Sequence, residues 1–166
     1  NSNKINTQIP IKSMDTLNLV ENKEITTIIK SLLQSAESIY QQLKTGNRLT
    51  TLQTSNASND EQMELDVFAD QCFLSNIKKH TDVKYILSEE RQDMIRHGNG
   101  KYSLALDPLD GSKSAKVGIP CGAIFGVFEN ADHILDFTGS HISMGGFLVF
   151  GINLEVYLAI DQKAYK

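Results

Sequence analysis

The sequence predicts an α/β fold of the layered α+β kind, with helices first and a sheet after them. Three observations carry that expectation. Apolar residues recur at spacings of three, four and seven over the first third of the chain. Short β-type runs separated by glycine and charged loops fill the second half. The composition, 40% apolar and 22% charged over 166 residues, is that of an ordinary soluble domain large enough for a real core.

Residues 1–13 are polar and rich in Asn and Ser, and read as a mobile terminus ahead of a domain spanning 14–166. From Met14 to Gly46 the pattern is helical, with Leu17, Ile25, Ile28, Ile29, Leu32, Leu33, Ile39 and Leu43 on one side. Gly46 is well placed as a C-terminal stop, and a break near Asn22 would divide the stretch in two. Residues 47–61 are turn-rich and read as a loop, and a second helix is expected from Gln62 to about His80. Strands follow at Val83–Leu87, Tyr102–Leu106 and Ala123–Phe128. Ser140–Phe150 is expected to be a short helix and Asn153–Ile160 a strand. No internal repeat is visible, and an ending at Lys166 directly after a strand is abrupt for a complete domain.

Charge excludes some partners. Sixteen basic and twenty acidic side chains give a net −4, and no Lys/Arg cluster stands out, so neither nucleic acid nor a membrane surface has an electrostatic footprint. The longest apolar runs, such as Phe147–Phe150, are too short to span a bilayer. Cys72 and Cys121 have neither CxxC nor zinc-type spacing, which points to a reducing compartment rather than a disulfide framework. No secretory signal pattern is visible at the start. His80, His97, His133 and His141 lack metal-ligand spacing and read as core or surface residues.

The chemically informative segment is Asp107-Pro108-Leu109-Asp110-Gly111-Ser112, directly after the apolar run Tyr102–Leu106. It sets two carboxylates three residues apart on a turn stiffened by Pro108, while Gly111 permits a tight backbone. Converging carboxylates repel, and a bound cation removes that cost; oxygen ligands suit Mg²⁺ or Mn²⁺ rather than Zn²⁺. Upstream, Ser88-Glu89-Glu90 follows the run Tyr85–Leu87, so a second strand end delivers acids. Two such ends are what a phosphoryl-transfer site needs, to clamp phosphate oxygens and activate a water. The bland alternative is a solvated Asp-Gly turn and a surface acidic pair.

These motifs, in this order, resemble the fructose-1,6-bisphosphatase family. DPLDGS stands after Gly100-Lys101-Tyr102 and before Ala123-Ile124-Phe125-Gly126-Val127, with Ser88-Glu89-Glu90 and Leu65-Asp66-Val67 upstream. The resemblance covers roughly residues 15–160. It implies the sugar-phosphatase fold, with long helices on a mixed sheet, and Mg²⁺-dependent hydrolysis of the 1-phosphate of fructose 1,6-bisphosphate. By position, Glu89, Asp107 and Asp110 resemble the metal-ligand carboxylates, joined by the main-chain carbonyl of Leu109. Glu90 and Asp66 resemble the acids that position and activate the attacking water, and Asp60 the acid on a loop that closes over the site. Gly111 and Ser112 resemble the 1-phosphate contacts. Glu24, Thr26, Lys101 and Tyr102 resemble an AMP site at a helix start.

The resemblance further implies a homotetramer serving gluconeogenesis; a cytoplasmic location is the expectation from the cysteines, with a plastid as the alternative. Sedoheptulose-1,7-bisphosphatase is the close alternative, and a non-catalytic regulatory paralogue or fragment the more distant one. Two departures stand out. Lys113-Ser114-Ala115-Lys116 replaces the family's usual Ser-Asn-Ile-Asp-like stretch, and Lys23 stands where the family has Gly. The family's C-terminal substrate domain, with its sugar contacts and a further metal-binding Glu, is absent from this sequence, so these residues alone are expected to catalyse poorly.

Overall fold

A computed structural model describes residues 22–45, 51–55, 61–115, 118–129 and 138–166. The expectations for residues 1–21, and for Gly46, Asp60, Lys116 and His133, lie outside the described residues. Helix α1 runs Lys23–Thr45 and helix α2 Glu64–Ile77. Between them, β1 (Thr51–Ser55) and β2 (Glu61–Met63) pair antiparallel as a two-stranded ribbon. A seven-stranded sheet follows: β3 (Val83–Ser88), β4 (Ile95–Arg96), β5 (Tyr102–Asp110), β6 (Cys121–Glu129), β7 (Ile142–Phe150), β8 (Leu154–Ile160) and β9 (Lys163–Tyr165). Its order is β4-β3-β5-β6-β7-β8-β9, with β3 and β5 parallel and every other pair antiparallel. A single helical turn, α3 (Ser112–Ala115), joins β5 to β6.

Helix α1 begins where the sequence suggested a break. The Asn22 side-chain oxygen accepts from the backbone N–H groups of Glu24 and Ile25 at 3.0 and 3.1 Å, which satisfies two donors the first turn would leave unpaired. The stripe Ile25, Ile28, Ile29, Leu32, Ala36, Ile39 then buries one whole face. It packs on α2, whose Phe73, Leu74 and Ile77 are also buried. Ser35 ties the two helices, its hydroxyl donating to the Cys72 carbonyl at 3.1 Å and accepting from Asn76 at 3.0 Å. Together the helices cover one face of the sheet, over Leu104, Leu106, Phe125, Val127 and Leu148.

Two sequence expectations are corrected. Ser140–Phe150 is not a helix: after a 3-10 turn at Gly139–His141 it forms β7. Gly145-Gly146 penalises a helix by about 1 kcal/mol per glycine, and the segment instead finds antiparallel partners in both β6 and β8. Residues 47–61 are not wholly loop, since 51–55 and 61–63 pair as a ribbon. The strands β4 and β9 had no visible signal. β9 returns through Asp161 and Gln162, both at positive φ (48° and 60°), the geometry of a tight hairpin turn without glycine.

Candidate metal centre

The sheet topology brings the acidic segments together. Because β3 and β5 are parallel neighbours, their C-terminal ends lie side by side, with Ser88 in register with Leu106. The Glu89 N–H donates to the Leu106 carbonyl at 3.0 Å, so Glu89 leaves its strand where Asp107 begins the acidic turn. Ligand sites in open α/β sheets form at such carboxyl ends. Helix α2 lies over β5 and carries Asp66 in its first turn, where a negative charge meets the positive end of the helix dipole. Asp66 is buried, at 6% exposure.

The spacing of Asp107 and Asp110 works through a bulge. In a regular strand, residues three apart point to opposite faces. Here Asp107 pairs with Ile124 and Asp110 with Gly122, so β5 has three residues where β6 has two. The surplus residue restores the parity and sets both aspartates on one side of the sheet. Pro108, which has no N–H to give a ladder, sits inside the irregular stretch. Leu109 is turned into the core at 4% exposure, while its N–H donates to the Asp107 side chain at 3.1 Å. Gly111 follows at φ 82°, a conformation that only glycine adopts without strain, and its carbonyl accepts from the N–H groups of Ser114 and Ala115.

Electrostatics report the same convergence. The Asp107 carboxyl is pushed above the ordinary aspartate range, first by burial and then by the like charges of Glu89, Asp110 and Asp66; the Leu109 N–H opposes the rise. The nearby Cys121 thiol is pushed up to about 11, first by burial and further by Asp110 and Asp66, which makes it an inert packed group at neutral pH. Three other sequence-predicted acids, Glu89, Asp110 and Asp66, thus lie near enough to Asp107 to act on its charge. Glu90 stands next to Glu89 on the same turn and is half-buried.

The donor set is all oxygen and negatively charged, which suits a hard divalent cation. Among the described residues no three His, Cys, Asp or Glu side chains already stand close enough to enclose an ion. Mg²⁺ does not require such a cage, since it keeps several waters and takes one or two carboxylates plus substrate phosphate. On this chemistry the residues fit the metal. A shallow trough of roughly 540 Å³, lined by Leu87, Ser88, Glu89, Asp107, Ile124 and Phe128, opens beside the acids on the face away from the helices.

Sequence reasoning passed over Asp70, one helical turn after Asp66. It is buried at 3% exposure and accepts from the Ser88 hydroxyl at 2.7 Å and from Arg91 at 2.8 and 2.6 Å. The only signals available were its i, i+4 spacing from Asp66 and the position of Arg91 directly after the glutamates. The group at the start of α1 stands at the N-terminal end of β5, whereas Asp107 and Asp110 stand at its C-terminal end. There Lys101 is held between Glu129 and Glu24 at 3.0 and 3.4 Å and lies over the Tyr102 ring. The Tyr102 hydroxyl accepts from the Asn22 amide at 2.7 Å, and the Thr26 hydroxyl donates to the Asn22 carbonyl at 3.0 Å.

A mixed sheet with helices on one face and acidic segments at the ends of two parallel strands defines a layered α/β domain. Residues 11–163 match the family described as fructose-1-6-bisphosphatase, N-terminal domain, and the chain belongs to that family. Curated relatives include the class 1 fructose-1,6-bisphosphatases of Helicobacter hepaticus, 34% identical over 83% of this chain, and Halobacterium salinarum, 37% identical over 64% of it. The alignments cover 48% and 37% of those proteins, so the chain spans about half the length of the curated relatives it matches, or less. Among solved structures, a Leishmania major fructose-1,6-bisphosphatase in holo form superimposes with a TM-score of 0.79 at 22% identity, covering 87% of this chain and 50% of that one. A putative sedoheptulose-1,7 bisphosphatase of Toxoplasma gondii does so with a TM-score of 0.74 at 22% identity, covering 91% and 51%. At these identities the superpositions establish the fold.

Proposed function

We propose that the full protein hydrolyses the 1-phosphate of fructose 1,6-bisphosphate and that this chain carries its metal centre. The observation that supports it most is the placement of Glu89, Asp107 and Asp110 at the adjacent ends of β3 and β5, with Asp66 of α2 near Asp107. In this reading the carboxylates of Glu89, Asp107 and Asp110 and the carbonyl of Leu109 hold Mg²⁺, with Mn²⁺ as the alternative. Bound there, the cation supplies neutralisation of the carboxylates and of charge building on the phosphate oxygens. Asp66 and Glu90 hold and orient a water and take its proton as its oxygen attacks phosphorus. The bond from phosphorus to the sugar oxygen breaks, and the leaving oxygen takes up a proton from solvent. Gly111 and Ser112 bind the phosphate through N–H and hydroxyl.

The direct test is phosphate release by the full-length protein from fructose 1,6-bisphosphate and sedoheptulose 1,7-bisphosphate, with Mg²⁺ and with EDTA. Mg²⁺-dependent release from the fructose ester is expected. Preference for the heptulose would move the protein to the alternative, which the Toxoplasma likeness keeps in view at the level of fold. No release from either would leave the non-catalytic reading. Asp110→Asn is expected to abolish Mg²⁺-dependent turnover in a protein that still folds. Glu90→Gln is expected to slow turnover far more than it weakens Mg²⁺ binding; equal losses would make Glu90 a ligand instead.

A homotetramer and a place in gluconeogenesis, by family resemblance, and a cytoplasmic or plastid location complete the reading. AMP binding through Glu24, Thr26, Lys101 and Tyr102 belongs to it too. A nucleotide phosphate there must take Lys101 from the two carboxylates that already hold it. Titration of activity with AMP checks this last element.

A further inference from the structure

We propose that Asp70, Ser88 and Arg91 form a clamp that sets the geometry of the Glu89-Glu90 turn, making them positioning residues for divalent-cation binding. The inference rests on the hydrolase reading above for its effect on turnover, and on the cation alone for its effect on binding.

The two glutamates are bracketed in sequence by Ser88 and Arg91, and both brackets close on one side chain. The Ser88 hydroxyl donates to Asp70 Oδ1 at 2.7 Å, while Arg91 brings Nε and Nη2 to Oδ2 at 2.8 and 2.6 Å. The backbone of the same turn closes with the Arg91 N–H donating to the Ser88 carbonyl at 3.1 Å. Both oxygens of Asp70 are thus used, and its charge is met by a guanidinium, as a carboxylate at 3% exposure requires. A solvated surface pair would hold nothing in place. This one is anchored at a buried residue on one side and reaches a half-open arginine on the other.

What the clamp joins gives it a consequence. Asp70 lies one turn after Asp66 on α2, so the two share a helix face. Tying Asp70 to both ends of the glutamate turn fixes the helix that carries Asp66 against the strand end that carries Glu89 and Glu90. The parallel ladder between β3 and β5 fixes that strand end against Asp107. One carboxylate that faces no substrate thereby sets the mutual placement of the acids that do. Outer partners of this kind typically change metal affinity or activity by 10- to 100-fold when lost.

Two variants of the full-length protein test the clamp without stranding a buried charge. Arg91→Lys keeps the cation but loses the two-donor fork, and Ser88→Ala removes one neutral hydroxyl while Arg91 still meets Asp70. Mn²⁺ affinity is measured without sugar phosphate by titration calorimetry, alongside kcat, KM and the thermal midpoint. In each folded variant we expect Mn²⁺ affinity and kcat to fall about 10-fold, with KM for the sugar bisphosphate unchanged. Wild-type Mn²⁺ affinity in one folded variant overturns that arm of the clamp; in both it overturns the proposal, whatever the thermal midpoint does. If the wild-type protein releases no phosphate, the hydrolase reading falls, while Mn²⁺ affinity still decides the clamp.

Discussion

At the scale of the residue, Asp107 carries the cost of the site. Its carboxyl titrates above the ordinary 3.8 because burial and three neighbouring acids disfavour the charge. An acid whose pKa is raised by folding contributes stability that is fully present below its unfolded pKa. That contribution is lost as pH rises through the folded value. At neutral pH and without metal, ionised Asp107 therefore works against the fold. Asp107→Asn is expected to raise the thermal midpoint in EDTA at neutral pH, with a gain that shrinks as pH falls toward 3.8. On the proposed metal centre, Mg²⁺ is expected to raise the wild-type midpoint, and the same variant to lose that rise. A lower midpoint in EDTA would mean that the carboxylate is a net stabiliser, against the repulsion described here. Such a conflict between charge needed for chemistry and stability is common at active sites.

At the scale of the element, the bulge in β5 converts a spacing into a site. Inserting one glycine between Pro108 and Leu109 would leave every acid in the chain and yet reverse the side to which Asp110 points. We expect the variant to keep its helical circular dichroism and, on the proposed metal centre, to show no midpoint rise with Mg²⁺, the same outcome expected of Asp110→Asn. A retained response would mean that Asp110 does not depend on strand parity. The sequence made much of this level legible. The helical stripe from Ile25 onward, the strand ends after Leu87 and Leu106 and the acids themselves could all be read from periodicity and turn residues. The bulge could not, because parity is decided by Ile124 and Gly122 on another strand. Nor could the β7 strand, where a ladder on both sides overrides a locally ambiguous pattern. Asp70 escaped notice because a buried aspartate looks like any helical polar residue until Arg91 and Ser88 are seen beside it.

At the scale of the whole molecule, the two helices cover only one face of the sheet. On the other, Ile124, Ile142 and Phe147 are about half exposed (53%, 49% and 46%), with Phe147 stacked on Tyr157 at 4.7 Å between ring centroids. Exposed apolar side chains on one sheet face favour association in water. Produced as 166 residues alone, the chain is expected to self-associate, and Phe147→Asp should shift it toward monomer by light scattering. A monodisperse monomer at tens of micromolar would show that the face needs no cover. Among the described residues no helix is long and apolar enough to cross a membrane.

The surplus residue of β5 also bears on how such a site can change over generations. A strand is read in steps of two, much as a message is read in steps of three, and a single added or lost residue is a frameshift of faces. Substitutions around the turn can be tried one side chain at a time, each leaving the others aimed as before. A change of length by one re-aims everything beyond it at once, so this short stretch should tolerate new letters far more readily than a new count.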